Sequence, residues 1–175
     1  MKIIKTSLEG FVIIEPDFFQ DERGFFLENY HKERYNNLGI EDEFLQENHS
    51  RSKNNVLRGM HYQINQPQAQ IVTVIRGNIL DVVVDLRIDS KTYGKWESVE
   101  LSDNGPRQVY MAPGFAHGFL VISEWADLHY NVSRNYNPSD EGGILWNDPD
   151  VNINWPSNSP IVSGKDQKLN YFKDL

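Results

Sequence analysis

Valine and isoleucine together number 27 in this 175-residue chain, alanine only 4, and asparagine, glycine and proline together 37. That balance constrains the fold more than any other feature. β-Branched side chains lose rotamer freedom in a helix and pack well on a pleated surface, while Asn, Gly and Pro serve turns. The chain therefore reads as all-β, with many short strands at close spacing, the pattern of a sandwich, a jelly roll or a barrel.

A pass along the chain agrees. Residues 10–15 read as a strand ended by Pro16, and residues 24–30 as a second. Residues 31–38 are the best helix, with Gly39 placed as its stop. Asn54 and Asn55 mark a turn before a strand over 56–63. Residues 71–75 and 78–87 form two strands joined through Arg76-Gly77. Segments 96–101 and 108–112 flank Asp-Asn-Gly-Pro at 103–106, which predicts a hairpin. Strands over 119–122 and 127–133 follow, and a short helix is expected near 165–172. There is no internal repeat and no linker, so residues 1–175 read as a single domain with one core.

Seventeen basic residues against twenty-five acidic ones give a net charge of −8. A surface of that sign repels phosphate backbones and anionic membranes, so neither nucleic acid nor membrane is an expected partner. It does not exclude a small anion held by local basic residues. The absence of cysteine excludes disulfides, thiolate catalysis and zinc–sulfur sites. The first ten residues carry two lysines and a glutamate without an apolar run, so no signal peptide is read there. Apolar runs such as Val82–Val84 fall far short of the ~20 residues that span a bilayer. The expectation is a cytoplasmic protein.

Few groups stand out for chemistry. No two of the five histidines are separated by a single residue, so the His-x-His pair typical of metal-binding β-barrels is missing, and a three-histidine site assembled from distant strands is the metal reading left open. His61 lies in Arg58-Gly59-Met60-His61-Tyr62-Gln63. In an ideal strand Arg58 and His61 face opposite ways; a bulge at Gly59 would bring both to one site. His117, in Pro113-Gly114-Phe115-Ala116-His117-Gly118-Phe119, fits a tight turn. In the strand 127–133, Leu128, Tyr130 and Val132 share the face expected to point inward, while Asp127, His129 and Asn131 share the other. Tyr130 is then either a core aromatic or a phenol presented to an interior site. The polar run from Gln46 to Ser52 either binds something or is simply exposed. Asp81, Asp85 and Arg87 share the parity of Val83, as a buried charge network or as one wet face.

Taken in order, a longer series of segments is more specific. It comprises Asp21-Glu22-Arg23-Gly24-Phe25-Phe26-Leu27-Glu28, Gln46-Glu47-Asn48-His49-Ser50, the Arg58–Gln63 motif, 81–87, Ser90-Lys91-Thr92-Tyr93-Gly94, the His117 motif, 141–148 and Trp155-Pro156. This series resembles the dTDP-4-dehydrorhamnose 3,5-epimerase family over roughly residues 8–166. The resemblance implies a cupin-type jelly-roll barrel with a few short helices, working without metal or organic cofactor. It implies a homodimer with exchanged N-terminal strands. The implied substrate is a dTDP-linked 4-keto-6-deoxy sugar, inverted at carbon 3 and carbon 5 on the route to dTDP-L-rhamnose.

By the same resemblance His61 is the base, Asp166 its partner carboxylate and Tyr130 the acid on the far side of the sugar. Arg23 and Arg58 match positions that grip the diphosphate, where guanidinium geometry is well suited. Gln46 and Asn48 match contacts to the nucleotide, and Tyr136 an aromatic near the thymine. Phe26 and Glu28 match the segment lining the neighbouring subunit's site, and His117 a wall position. One departure concerns the enolate oxygen. Where the family has Gln-x-Lys, this chain reads Gln68-Ala69-Gln70, so Gln70 offers an amide in place of a cation. Slower turnover, a substitute cation, a single-site epimerase or 3,4-ketoisomerase on a related sugar, and a non-catalytic binder are the outcomes compatible with that exchange.

Overall fold

The computed structural model describes residues 1–175. Two antiparallel sheets face each other. The first runs β1 (Lys2–Lys5), β2 (Phe11–Glu15), β10 (Gln108–Met111), β7 (Gln70–Arg76), β12 (Trp125–Val132), β5 (Gln46–Lys53). The second runs β13 (Glu141–Gly143), β6 (Val56–Gln63), β11 (Phe115–Val121), β8 (Asn78–Asp85), β9 (Trp96–Ser102). A two-residue strand, β14 (Ile161–Val162), adds to β6 in parallel. β3 (Phe18–Asp21) and β4 (Gly24–Leu27) form a separate two-stranded ribbon. The helix α1 (Lys32–Asn37) stops at Leu38, followed by Gly39 at φ +87°. Two 3-10 turns, Asp166–Lys168 and Phe172–Asp174, stand in the region expected to hold a short helix. The all-β reading and its jelly-roll-like double sheet hold.

Three apolar clusters explain the sequence pattern. The main core lies between the sheets and includes Phe11, Val72, Val83, Phe115, Phe119 and Leu128. A second, with Val82, Val84, Ala116, Leu120, Ile144 and Trp155, covers the other face of the second sheet. A strand buried on both faces cannot alternate, which is why Val82–Val84 is a continuous apolar run. The third cluster packs α1 through Tyr35 against Ile14 and Ile71.

Two expectations from sequence fail. The turn at 103–106 does not close a hairpin: β9 pairs with β8 in one sheet and β10 with β2 and β7 in the other. His117 lies within β11 and bonds Asp81 instead of sitting in a tight turn; Arg76-Gly77 joins two strands as expected, here from different sheets. Local turn chemistry specifies that the chain reverses, and burial of two apolar faces against each other decides which strand it then pairs with. The polar run 46–52 is a regular strand with no apolar alternation, because its inward residues line a cavity instead of the core. The strand expected over 24–30 ends at Leu27.

The parity reading of 127–133 holds. Across β5, β12 and β7 the register sets Gln46, Val132 and Gln70 in one inward row, and Asn48, Tyr130 and Val72 in the next. Asp81 and Asp85 are buried and paired, with His117 and with Arg87, Ser90 and Thr92. The charge-network reading of that strand therefore wins over the wet face.

Candidate active site

A cavity of about 550 Å³ opens between the sheets, within the usual size of a small-molecule site (~300–1,000 Å³). Nine of the twelve residues singled out from sequence line it: Gln46, Asn48, Arg58, His61, Gln70, His117, Tyr130, Tyr136 and Asp166.

Arg58 and His61 reach it together because β6 carries an extra residue. His61 is opposite His117 and Arg58 opposite Phe119, so three steps on β6 match two on β11. The odd step turns both side chains to the same face and sends Met60 into the apolar cluster behind. Gly59 makes this possible. Its φ is +123°, and a Cβ there would lie 2.5 Å from Gly118 Cα and 2.8 Å from the His117 carbonyl oxygen.

His61 Nε2 lies 2.8 Å from Asp166 Oδ1, and the Gly59 N–H points at Asp166 Oδ2 at 3.4 Å. Burial works to raise the Asp166 carboxyl, but the hydrogen bond and charge of His61, helped by the Gly59 N–H, hold it below its ordinary value. An ionised Asp166 can only accept, so Nε2 carries the proton and Nδ1 is left as the ring's proton acceptor. Asp81 makes a second such pair, with His117 Nε2 at 2.8 Å.

Tyr130 projects from the opposite sheet, and its hydroxyl makes no hydrogen bond within the chain. Burial pushes its phenol up from the ordinary value, with the Arg58 charge pulling the other way. Arg58 is itself aimed by Ser52, whose Oγ accepts from Nε at 2.9 Å. Gln46 Nε2 donates to Asn48 Oδ1 at 2.9 Å, and Gln46 Oε1 accepts from the Tyr136 N–H at 2.9 Å. These bonds tie the loop after β12 to the polar strand. Arg58 is the only lysine or arginine lining the cavity, and Gln70 takes its place there as a neutral amide.

Sequence reasoning assigned no role to Glu141, which accepts from the Tyr136 hydroxyl and from Lys165 Nζ and lies 3.8 Å from His61 Nε2. Burial works to raise its carboxyl, but Lys165 and Tyr136 outweigh that and lower it. The partners are 5 and 24 residues away in sequence, so no local spacing could have signalled the cluster.

Arg23, Phe26 and Glu28 stand outside the cavity of their own chain. Arg23 pairs with Asp21 on the β3–β4 ribbon, and Glu28 lies 3.3 Å from Arg34. Phe26 is 68% exposed, and Phe19 and Phe25 on the same ribbon are nearly as open. No group of three or more His, Cys, Asp or Glu side chains is arranged to hold a metal ion. No helix is long and apolar enough to cross a membrane.

Residues 5–174 match the family model described as dTDP-4-dehydrorhamnose 3,5-epimerase. The chain belongs to that family. A dTDP-4-dehydrorhamnose 3,5-epimerase of Methanothermobacter thermautotrophicus is 46% identical over 169 residues, 95% of this chain and 91% of that protein. A dTDP-4-dehydrorhamnose 3-epimerase of Streptomyces niveus is 41% identical, covering 95% of this chain and 82% of that protein. Among solved structures, a dTDP-6-deoxy-D-glucose-3,5-epimerase of Legionella pneumophila in complex with dTDP-4-keto-L-rhamnose superposes with a TM-score of 0.94. It is 44% identical, and the match covers 97% of this chain and 92% of that one. As a member of the epimerase family, the chain is an isomerase.

Proposed function

We propose that this epimerase inverts carbon 3, carbon 5 or both in a dTDP-linked 4-keto-6-deoxy sugar. The observation that carries the reading is the His61–Asp166 pair on one sheet, with the unbonded Tyr130 hydroxyl on the other, around one cavity. A ketone at carbon 4 acidifies the C–H bonds on both neighbouring carbons. Nδ1 of His61 takes one of these protons, the electron pair moves to the ketone oxygen as an enolate, and Asp166 stabilises the imidazolium. The electron pair then returns to carbon as Tyr130 delivers its proton to the opposite face, restoring the ketone; the phenolate regains a proton from solvent and the imidazolium gives one up to it. A phenol raised by burial stays protonated at neutral pH and is available as the acid. Arg58 grips the diphosphate, Gln46, Asn48 and Tyr136 hold the nucleotide, and His117 walls the sugar.

The exposed Phe19, Phe25 and Phe26 and the outlying Arg23 and Glu28 support a homodimer in which each ribbon enters its partner's site. A fully active monomer on sedimentation would remove that part of the proposal. A cysteine-free chain suits the reducing cytoplasm, where we place the reaction.

Solvent exchange tests the reading. The enzyme is incubated with dTDP-4-keto-6-deoxyglucose in heavy water and both carbons are followed by NMR. Deuterium at carbons 3 and 5 is the result for double epimerisation. Label at one carbon selects the single-site reading, the activity named for the 3-epimerase relative. No exchange with any 4-keto nucleotide sugar would sink the catalytic claim.

A further inference from the structure

Asp166 is carried by a short turn and not by a strand. The sequence Ser163-Gly164-Lys165-Asp166 has the spacing of a helix capping box. In that motif a hydroxyl takes the N–H three residues on, and the acid reaches back to the first residue's N–H. Only half of the exchange is used in this way. Ser163 Oγ accepts from the Asp166 N–H at 3.0 Å, and the Ser163 carbonyl accepts from the Gln167 N–H at 3.0 Å. The carboxylate reaches to His61 and to the Gly59 N–H, with the Ser163 hydroxyl beside it.

Two other side-chain bonds hold this turn, Lys165 Nζ to Glu141 and Gln167 Nε2 to the Val162 carbonyl. Residues 163–165 and 167–168 are exposed, while Asp166 alone is buried at 4%. Gly164 has nothing within 4 Å of where a Cβ would sit. The strand leading into the turn, β14, is two residues long. Of these bonds, that of the Ser163 hydroxyl is the one made to the N–H of Asp166 itself.

We propose that Ser163 is a positioning residue for the His61–Asp166 pair, its hydroxyl holding the turn so that the carboxylate meets His61 instead of folding back on its own backbone. The proposal rests on the reading of His61 as the base. Around His61 the charged and titratable groups are Asp166, Glu141 with its partner Lys165, and His117 across the strand pair. Without the hydroxyl, Asp166 samples other orientations and His61 spends part of its time without its carboxylate. The imidazolium formed on proton abstraction is then less well stabilised.

The test compares Ser163→Ala, Ser163→Thr and His61→Ala by deuterium exchange into dTDP-4-keto-6-deoxyglucose, with dTDP affinity measured separately. Ser163→Ala should lower kcat threefold to tenfold and leave dTDP affinity within twofold. KM should stay within twofold. Ser163→Thr keeps a hydroxyl and should restore kcat. An unchanged kcat in Ser163→Ala, a loss confined to KM and dTDP affinity, or a Thr variant that behaves like Ala would each overturn the proposal. Retained exchange in His61→Ala would instead remove the base assignment on which it stands.

Discussion

Gly59→Ala separates steric room from backbone freedom at the point where fold and site meet. The new methyl would lie 2.5 Å from Gly118 Cα, 2.8 Å from the His117 carbonyl and 3.3 Å from Gly118 N, all backbone atoms of the neighbouring strand. No side-chain rotation relieves such contacts, and overpacking of this kind costs about 1–3 kcal/mol. The φ of +123° lies where L-residues are strained, for a further ~1–3 kcal/mol. Together the change should cost about 2–6 kcal/mol, a large part of a domain's usual ~5–15 kcal/mol. Gly39→Ala is the control. It too has positive φ, +87°, but nothing within 4 Å of its Cβ, so it carries only the conformational part, about 1 kcal/mol. Urea unfolding at matched protein concentration measures both. Relief of the Gly59 clash requires β6 and β11 to part, which moves Arg58 away from His61, so exchange activity should fall with stability. A Gly59→Ala variant within 1 kcal/mol of the parent, with full exchange activity, would refute the account of how these two side chains share a face.

Three other outcomes follow from the same geometry. Gln70→Lys should raise turnover about tenfold, because a hydrogen bond from a charged donor exceeds a neutral one by roughly 1 kcal/mol or more and each ~1.4 kcal/mol is a decade in rate; steady-state kinetics showing no gain would mean that Gln70 does not face the enolate oxygen. Tyr130→Phe should spare proton removal more than inversion, read as the ratio of deuterium washout to product formed, and equal loss of both would argue against its role as the acid. Arg87→Ala strands the fully buried Asp85, which it now meets at 2.7 Å, and should cost about 3–5 kcal/mol at pH 7. Burial works to raise the Asp85 carboxyl, but Arg87, Ser90 and Thr92 hold it well below the usual carboxylate range. This stabilisation is therefore complete above the unfolded-state value of ~3.9 and is lost as pH falls through the lower native one. The stability gap between Arg87→Ala and the parent should accordingly narrow in urea titrations run below about pH 4, and a constant gap would contradict the pairing.

Secondary structure was legible where side chains face a uniform environment. Residues 127–133 alternate because one face of β12 is buried, and α1 ends where Gly39 supplies a positive φ. β5 was not legible as a strand, since Gln46, Asn48 and Ser50 point at a polar cavity and leave no apolar period to detect. The same residues make the site, so what hid the strand is what equips the cavity. The turn at 103–106 was read correctly as a reversal and wrongly as a hairpin, because the next pairing partner is set by the opposing sheet.

By itself the sequence determined that this chain is β-rich and cysteine-free, and its ordered motifs pointed to an epimerase with His61, Asp166 and Tyr130 at work. Those are properties of residue type and order. Tertiary structure alone decided that Arg58 and His61 share a face, that Glu141 joins Tyr136 and Lys165 beside His61, and that Arg23, Phe26 and Glu28 stand outside their own chain's cavity. Each of these depends on a bulge register or on contacts between segments far apart in the chain, and neither is encoded in the spacing of neighbouring residues.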